Sequence, residues 1–401
     1  MSSILFINRV YPPESGATGR VLEYAARGLV NAGWDVSVLT TSGGRTNSGQ
    51  SVVDGVKVIR IDSPFSKENM ILRAVGYGLM IPSLLMRSLF LPRADVVVTM
   101  TDPPMSAVMG PVLKLLRGSK LIHWAQDLYP EVAEEVGVFK KRGITAGMLR
   151  FLSSSSLRFH DLNLAVGRCM AGRLEKRGIP SSRITVLPNV GMERDIIPMP
   201  RGKSTFRELH GIGEEFVIMY SGNMGRAHEF ETIVECARIL QERGESRILF
   251  LFAGDGPAQI TIRNSVTKLG LRNVMFVPAQ NAGHLSESLG MADLHLVTMK
   301  EGMSGLVVPS KFYGVMAAGR PTLFVGSPDS EVGRVIGEKR IGEVIEVGDA
   351  EKIAVTILNY RDYPSRIEQE GNLARNSILR EDLLPILIQE ADRISLSSKV
   401  L

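Results

Sequence analysis

The chain has 401 residues, 44% of them hydrophobic and 22% charged. These proportions are ordinary for a globular protein and sufficient for two medium-sized cores. A net charge of +5 suits anionic partners, but no Lys/Arg run or aromatic–basic stripe accompanies it, which excludes nucleic acid as the leading ligand. Cys169 and Cys236 lie far apart inside helical patterns, which excludes a disulfide or thiolate–metal framework and reads as buried thiols in a reducing compartment.

In chain order, the opening stretch MSSILFINRVYPP has neither a basic segment nor a long apolar run. It reads as a first strand, ILFIN, of a cytoplasmic protein rather than as a secretory leader. The loop Pro12–Arg20, PPESGATGR, carries Gly16 and Gly19, which let backbone approach a phosphate. Its spacing is not the G-x-G-x-x-G of dinucleotide binding. A helix over VLEYAARGLVNAG, a strand DVSVLT and a hairpin VVDGVKVIRI turning at Asp54-Gly55 follow. Residues 70–91 are apolar, but Arg73 and Arg87 bracket only thirteen uncharged residues, too few to span a bilayer. The segment reads as an interfacial amphipathic helix, as a helix packed in the first domain, or as both. Leu84 and Leu85 are the positions where Asp is expected to abolish membrane binding.

ADVVVT, KLIHWA, LNLAV and ITVLP complete a first set of strands. FVIMYSG, RILFLFAGDG, NVMFVP, ADLHLVTM and PTLFVG form a second. Short apolar strands alternating with helical patterns specify mainly parallel sheets with helices on both faces. The fold class is therefore α/β: two doubly wound, Rossmann-like domains whose strand C-terminal ends face a central cleft where ligands bind. The first domain is expected over 1–195 and the second over 205–375, with the break in the aperiodic, proline-rich stretch 188–204. A helical tail over 376–401 is expected to pack back on the first domain.

Three segments carry candidate chemistry. In LIHWAQDLYPEVAEEVG, Asp127 falls where a strand ends and Glu131 opens a helix, so either carboxylate can orient an incoming hydroxyl or take its proton. The plain alternative for Glu131 is a helix-start acid, and for His123 a wall residue. In YSGNMGRAHEF, Arg226 can pair with a phosphate bidentately and His228 can donate or accept a hydrogen bond near a helix start. The plain alternative for both is solvent exposure, and AGDGP reads mainly as a turn. In Gly302–Pro321, Ser304, Gly305 and Leu306 form a small-residue loop before a helix that starts near Pro309, carries Lys311 in its first turn and stops at Gly319. No D-x-D pair is present and the six histidines are scattered, so no metal is expected and charge neutralisation falls to Arg226, Lys311 and backbone donors.

With these residues in place, the chain resembles family 4 retaining glycosyltransferases of the GT-B fold along almost its whole length. The resemblance rests on the Gly16 loop, DLYPE from Asp127, LPN from Leu187, YSGNMGRAHEFET from Tyr220, AGDGP from Ala253 and VPSKFYGVMAAGRP from Val308. QDLYPE and the last motif look most like the branch that builds bacterial O-antigen, capsule and exopolysaccharide. The resemblance implies a nucleotide-diphosphate sugar held mainly by the second domain and a polyprenyl-diphosphate-linked saccharide acceptor at the first. It also implies hexosyl or N-acetylhexosaminyl transfer with retention, in lipopolysaccharide-type biosynthesis at the inner face of the cytoplasmic membrane. The implied donor-site residues are Gly16, Asn223, Arg226, His228, Val277, Pro278, Glu301, Ser304, Gly305, Leu306 and Lys311. The sequence departs from the family at three points. Asn223 and His228 stand where an Arg and a Lys usually face the diphosphate. Gly314 replaces a ribose-binding Glu, leaving Glu301 as candidate. Gln126 replaces a His, which moves the polar catalytic role to Asp127. The alternatives are a nucleotide-sugar epimerase or hydrolase of the same fold, or a non-catalytic partner subunit.

Overall fold

The structure, a computed structural model, describes residues 1–401 except Ser15, 44–45, 63–69, 139, 142, 201, 203, 281 and 398–401. Part of the Pro12–Arg20 loop and of the 188–204 stretch therefore lies outside the described residues, as does the side chain of Arg73. The chain divides into two compact units. The first is Met1–Asn189 with Gly305–Val307 and Asp382–Leu401, and the second is Val190–Ser304 with Val308–Glu381.

The first unit is built on β1 (Ser3–Ile7), β2 (Asp35–Ser42), β3 (Gly49–Val53), β4 (Val56–Asp62), β5 (Val96–Met100), β6 (Lys120–Ala125), β7 (Leu162–Ala165) and β8 (Ile184–Val186). Their order across the sheet is β3-β4-β2-β1-β5-β6-β7-β8. All pairs are parallel except β3–β4, a hairpin at the sheet edge whose turn residues Asp54 and Gly55 both have positive φ. Strands covered on both faces read as continuous apolar runs, and VVVTM of β5 is buried at every position. Leu5 and Ile7, two residues apart and hence on one face, meet Met80, Leu84, Met109 and Leu113 of the helices Met70–Leu89 and Met109–Arg117. The helix Ile144–Phe159 packs beside the second of these.

The C-terminal helix Leu383–Leu396 belongs to this unit and lies against the helix Ala17–Asn31. Asp382 caps it by accepting from the Leu384 N–H at 2.9 Å, and the same carboxylate accepts from Tyr24 Oη at 3.0 Å. Gly28 makes the approach possible, since a Cβ there would stand 2.3 Å from Leu384 Cδ2.

The helix Met70–Leu89 is not long and apolar enough to cross a membrane, and nor is any other described helix. Its outward positions correct the expectation about Leu84, which is fully buried against the sheet, and Leu85, which packs partly against the same core. At 100° per residue the face opposite that core carries Leu79 and Met86, with Phe90 just beyond the helix end.

The second unit is built on β9 (Phe216–Ser221), β10 (Ile248–Ala253), β11 (Val274–Val277), β12 (Leu294–Thr298), β13 (Thr322–Val325) and β14 (Gly342–Ile345), all parallel, in the order β11-β10-β9-β12-β13-β14. Ile218, Phe250, Leu296 and Leu323 pack against the helices Glu231–Glu242 and Ala350–Asp362. In an open sheet of this kind the crevice opens beyond the strand ends where the order reverses. That point lies between β9 and β12 in the second unit and between β1 and β5 in the first.

Candidate functional site

In the second unit the switch point gathers Lys311, Tyr220, His228 and the backbone of Asn223. Lys311 opens the short helix Lys311–Ala317, whose Phe312, Tyr313, Val315 and Met316 are buried and fix its pose. The Lys311 ammonium donates to the Tyr220 hydroxyl and stands 3.4 Å from His228 Nε2 and 3.5 Å from the Asn223 carbonyl oxygen. Among the described residues no carboxylate pairs with it, and burial pushes its pKa well below the usual lysine range. The Tyr220 hydroxyl in turn donates to the Asn223 carbonyl at 2.9 Å.

His228 Nδ1 donates to the Thr298 carbonyl at 2.6 Å, which leaves Nε2 as an acceptor toward Lys311. Burial first, and the neighbouring Lys311 charge second, push the His228 pKa down to about 3, so the ring is neutral at physiological pH. A neutral imidazole at this position accepts from an ammonium, where a second cation would repel it.

The loop after β9 is held from below by the AGDGP segment. The Met224 N–H donates to the Asp255 carbonyl at 2.7 Å and the Ala258 N–H to the Met224 carbonyl at 3.0 Å. Gly254 (φ +131) and Gly256 (φ +147) are required twice over. Their backbone is left-handed, and a Cβ would come within 2.3 Å of the Gly222 carbonyl oxygen and 2.6 Å of the Met224 carbonyl oxygen respectively. This segment is therefore a support for the 222–224 loop as well as a turn. The Lys300 N–H donates to the Ala227 carbonyl at 2.9 Å, which ties the loop carrying Glu301 to the loop carrying His228.

The other expected positions hold different places. Arg226 and Glu301 are exposed. Val277 ends β11, where its carbonyl accepts from the Gly254 N–H at 3.1 Å, and Pro278 is exposed beside it. Ser304 belongs to the second unit, whereas Gly305 and Leu306 are grouped with the first, where the Leu306 carbonyl accepts from the Leu128 N–H at 2.9 Å. At Gly314 a Cβ would have room and would face the methyl carbons Ile196 Cδ1 and Leu289 Cδ1 at 3.8 and 3.9 Å. Its surroundings are apolar, consistent with the loss of a carboxylate there.

In the first unit the switch point carries Arg9 and Asp102, joined by two hydrogen bonds of 2.7 and 2.9 Å. Asp127 follows β6, and no cation pairs with its carboxylate among the described residues. Burial, then the Asp102 charge, raise its pKa from 3.8 to about 7. Gln126 and Asn189 exchange amide hydrogen bonds of 3.3 and 2.5 Å, which fixes the backbone on one side of Asp127. Glu131 does not join this group. It opens the helix Glu131–Glu135 and pairs with the largely buried Arg177, which also donates to Ser153 Oγ at 3.3 Å. Gly16 caps the helix Ala17–Asn31 with extended backbone, and what requires a glycine is Val10, whose Cγ1 a Cβ would approach to 2.9 Å.

The sequence reading missed Tyr220, Thr298 and the Arg9–Asp102 pair. Tyr220 and Thr298 end apolar strands and look like core residues. Arg9 and Asp102 meet only through the β1–β5 pairing, 93 residues apart in sequence.

Residues 16–190 match the glycosyl transferase 4-like domain and residues 203–376 match glycosyl transferases group 1. A probable glycosyltransferase, WbjE, of Pseudomonas aeruginosa is 28% identical over 250 residues, 62% of each chain. A putative colanic acid biosynthesis glycosyl transferase, WcaI, of Escherichia coli is 24% identical over 240 residues, 56% of this chain and 55% of that one. The matches thus span about three fifths of the length of these relatives. Among solved structures, a sucrose-phosphate synthase of Thermosynechococcus elongatus superposes with TM-score 0.80 at 14% identity over 100% of both chains. Anabaena HepE in complex with UDP-glucose gives 0.73 at 13% identity over 98% of this chain and 100% of that one. WaaG, a glycosyltransferase involved in lipopolysaccharide biosynthesis, gives 0.70 at 19% identity over 98% and 99%. At these identities the structural likeness establishes the fold.

Proposed function

This chain belongs to the family 4 glycosyltransferases and has their GT-B fold, and from that premise we propose that it moves a sugar from a nucleotide-diphosphate donor to a lipid-linked saccharide acceptor in bacterial surface-polysaccharide assembly. The observation that carries this reading is Lys311, a half-buried ammonium beside a phenol, an imidazole and a carbonyl, with no carboxylate pairing with it among the described residues. Such a cation is poised for an anion, and a diphosphate supplies one. The relatives' names support polysaccharide assembly, and the UDP-glucose complex of HepE supports a nucleotide-sugar donor.

In this reading Lys311 binds the diphosphate and stabilises the charge it gains as the glycosidic bond breaks. Arg226, exposed on the loop beside it, adds a second cation; together they do the work without a metal ion. Asn223 and His228 shape the phosphate site, Ser304 offers a backbone donor, Val277 and Pro278 border the base, and Glu301 takes the ribose hydroxyls. With retention, the acceptor hydroxyl attacks the anomeric carbon from the face the diphosphate leaves. The bond to the phosphate oxygen breaks, the bond to the acceptor oxygen forms, and the acceptor proton passes to the departing phosphate oxygen. Asp127, half-protonated near neutrality, orients the acceptor hydroxyl. Glu131 acts at one remove, as a positioning residue that holds the Asp127–Pro130 turn through Arg177. In this reading the reaction runs at the inner face of the cytoplasmic membrane, which a polyprenyl-diphosphate carrier and the apolar 70–91 segment support.

The test is turnover. Purified protein, a panel of hexose and N-acetylhexosamine nucleotide donors and a polyprenyl-diphosphate saccharide should yield an extended lipid-linked product whose new anomeric linkage, read by NMR, keeps the donor's configuration. Inversion overturns the stereochemical reading. Nucleotide release equal with and without acceptor supports hydrolysis instead, and no transfer across the panel contradicts the whole assignment.

A further inference from the structure

Arg9 and Asp102 share the switch point of the first unit with Asp127, yet no step of the sugar transfer uses them. Arg9, Asp102 and Asp127 each lie two residues beyond the end of a strand, and those strands, β1, β5 and β6, are neighbours in the sheet. Ile7 pairs with Thr99 and Thr99 with His123, so the three strands run level and bring the three residues to one edge.

Each strand end is tied to the next. The Arg9 N–H donates to the Asp102 carbonyl at 2.6 Å, and the Arg9 carbonyl accepts from the hydroxyls of Thr40 and Thr41 at 2.8 and 3.0 Å. With the backbone held on both sides, the guanidinium meets the Asp102 carboxylate as a fork, Nε to Oδ1 and Nη2 to Oδ2. The two side chains are 29% and 19% exposed, so water screens this pair less than a surface pair. On the other side, the buried Thr101 hydroxyl accepts from the Gln126 N–H at 2.8 Å and the Asp127 N–H at 3.4 Å. Arg9 thus fixes the Asp102 carboxylate, and Thr101, one peptide away, fixes the backbone that carries Asp127.

Two carboxyl groups at one site are made unequal by a cation on one of them. Arg9 pairs with Asp102, and no cation pairs with Asp127 among the described residues. Burial is the larger cause of the raised Asp127 pKa and the Asp102 charge the smaller. The remaining neighbours add no net charge: Gln126 and Asn189 are neutral amides, and Glu131 in the same turn is taken by Arg177. A carboxylate that is harder to form is a stronger hydrogen-bond acceptor once formed.

We infer that Asp102, pinned by Arg9, is a positioning residue for transfer: its fixed negative charge strengthens Asp127 as the hydrogen-bond acceptor of the incoming hydroxyl, and Thr101 sets where Asp127 stands. The inference rests on the reading of Asp127 as the group that orients the acceptor. Titration of the Asp127 carboxyl in the ligand-free protein does not, so the two can fail separately.

The experiment compares wild type, Asp102→Asn, Thr101→Val and the double variant Arg9→Met with Asp102→Asn, by carboxyl NMR of aspartate-labelled full chain and by pH profiles of kcat/KM for the acceptor. Asp102→Asn keeps an oxygen for Arg9 but loses the charge. Asp127 should then titrate lower by about half a pH unit or more. The ascending limb of the profile should move with it, and the plateau should fall several-fold. The double variant, which removes both charges together, should also titrate below wild type. Thr101→Val should lower kcat/KM with the limb unmoved, and Thr101→Ser should restore it. An Asp127 titration unmoved by Asp102→Asn overturns the inference. So does a wild-type titration in the double variant, because the stranded Arg9 cation would then be the cause of the shift. A limb displaced as far by Thr101→Val as by Asp102→Asn overturns it too, since altered burial would account for both. Shifted titrations in a wild-type protein that transfers no sugar support the Asp102–Asp127 coupling and overturn the transfer reading alone.

Discussion

The Lys311 ammonium donates to the Tyr220 hydroxyl and stands 3.7 Å from the centroid of the same ring. Burial raises the Tyr220 pKa far above its ordinary value, so the phenol is neutral and can only solvate the cation, never neutralise it. The helix that carries Lys311 spans seven residues, Lys311–Ala317, barely two turns. The side-chain charge, rather than a helix dipole, therefore dominates what an anion meets there.

A half-buried cation with no carboxylate beside it among the described residues costs stability, so function and stability should separate at this position. Lys311→Met is expected to raise the melting temperature of the ligand-free protein, by an amount on the order of 1 kcal/mol. The same change should lower kcat for transfer by about 10²–10³-fold. Calorimetric melting together with initial rates checks both signs.

Replacing His228 with Phe should remove the acceptor facing Lys311 and also the donor to Thr298. Donor KM should rise by about tenfold, close to 1.4 kcal/mol. Because the His228 pKa lies near 3, the acid limb of the wild-type pH–rate profile should not carry this residue's titration. The profiles of wild type and His228→Phe should therefore keep the same apparent pKa.

Gly256→Ala is expected to cost roughly 1–3 kcal/mol, since its backbone is left-handed. Its Cβ would also press on the Met224 carbonyl and on Asn223 Oδ1. The displaced loop carries the Asn223 carbonyl, so donor KM should rise along with the loss in stability. Denaturant melts and donor titration should move together.

Asp127 supplies a pH signature. Its folded pKa, about 7, lies above the unfolded value of 3.8, so the folded state holds the proton more tightly. The stability this contributes is full below about pH 4 and is lost as pH rises through about 7. Asp127→Asn should therefore stabilise the protein above about pH 8, by an amount on the order of 1 kcal/mol, and change it little in acid. Transfer should fall by about 10²-fold. Melting curves at both ends of the pH range and a pH–rate profile check the pair of effects.

Much of the architecture was legible because parallel strands covered on both faces must be apolar runs, and KLIHWA and FVIMYS read that way. β14 was not legible. In Gly342–Ile345 three of four positions are only partly buried, and Glu343 turns out to pair with Arg366 of a later helix. Lys311 stood out because it lies in a small-residue motif, whereas its partners Tyr220 and Thr298 end apolar strands and gave no signal. Glu131 and Asp127 looked alike in sequence, each a carboxylate beside a strand end. Arg177, 46 residues away, separates them by pairing with one alone. Leu84 looked lipid-facing for a related reason: hydropathy does not say which side of an apolar helix meets the core.

The most direct test of the central claim, that Lys311 grips the diphosphate of a sugar donor, is calorimetric titration of wild type and Lys311→Met with UDP, GDP and ADP and the corresponding monophosphates. The account predicts that one nucleoside diphosphate binds the wild type, that its monophosphate binds more weakly, and that Lys311→Met loses about tenfold or more of the diphosphate affinity while losing little for the monophosphate. Equal diphosphate affinity in wild type and Lys311→Met, or no binding of any of the three diphosphates to the wild type, would contradict it.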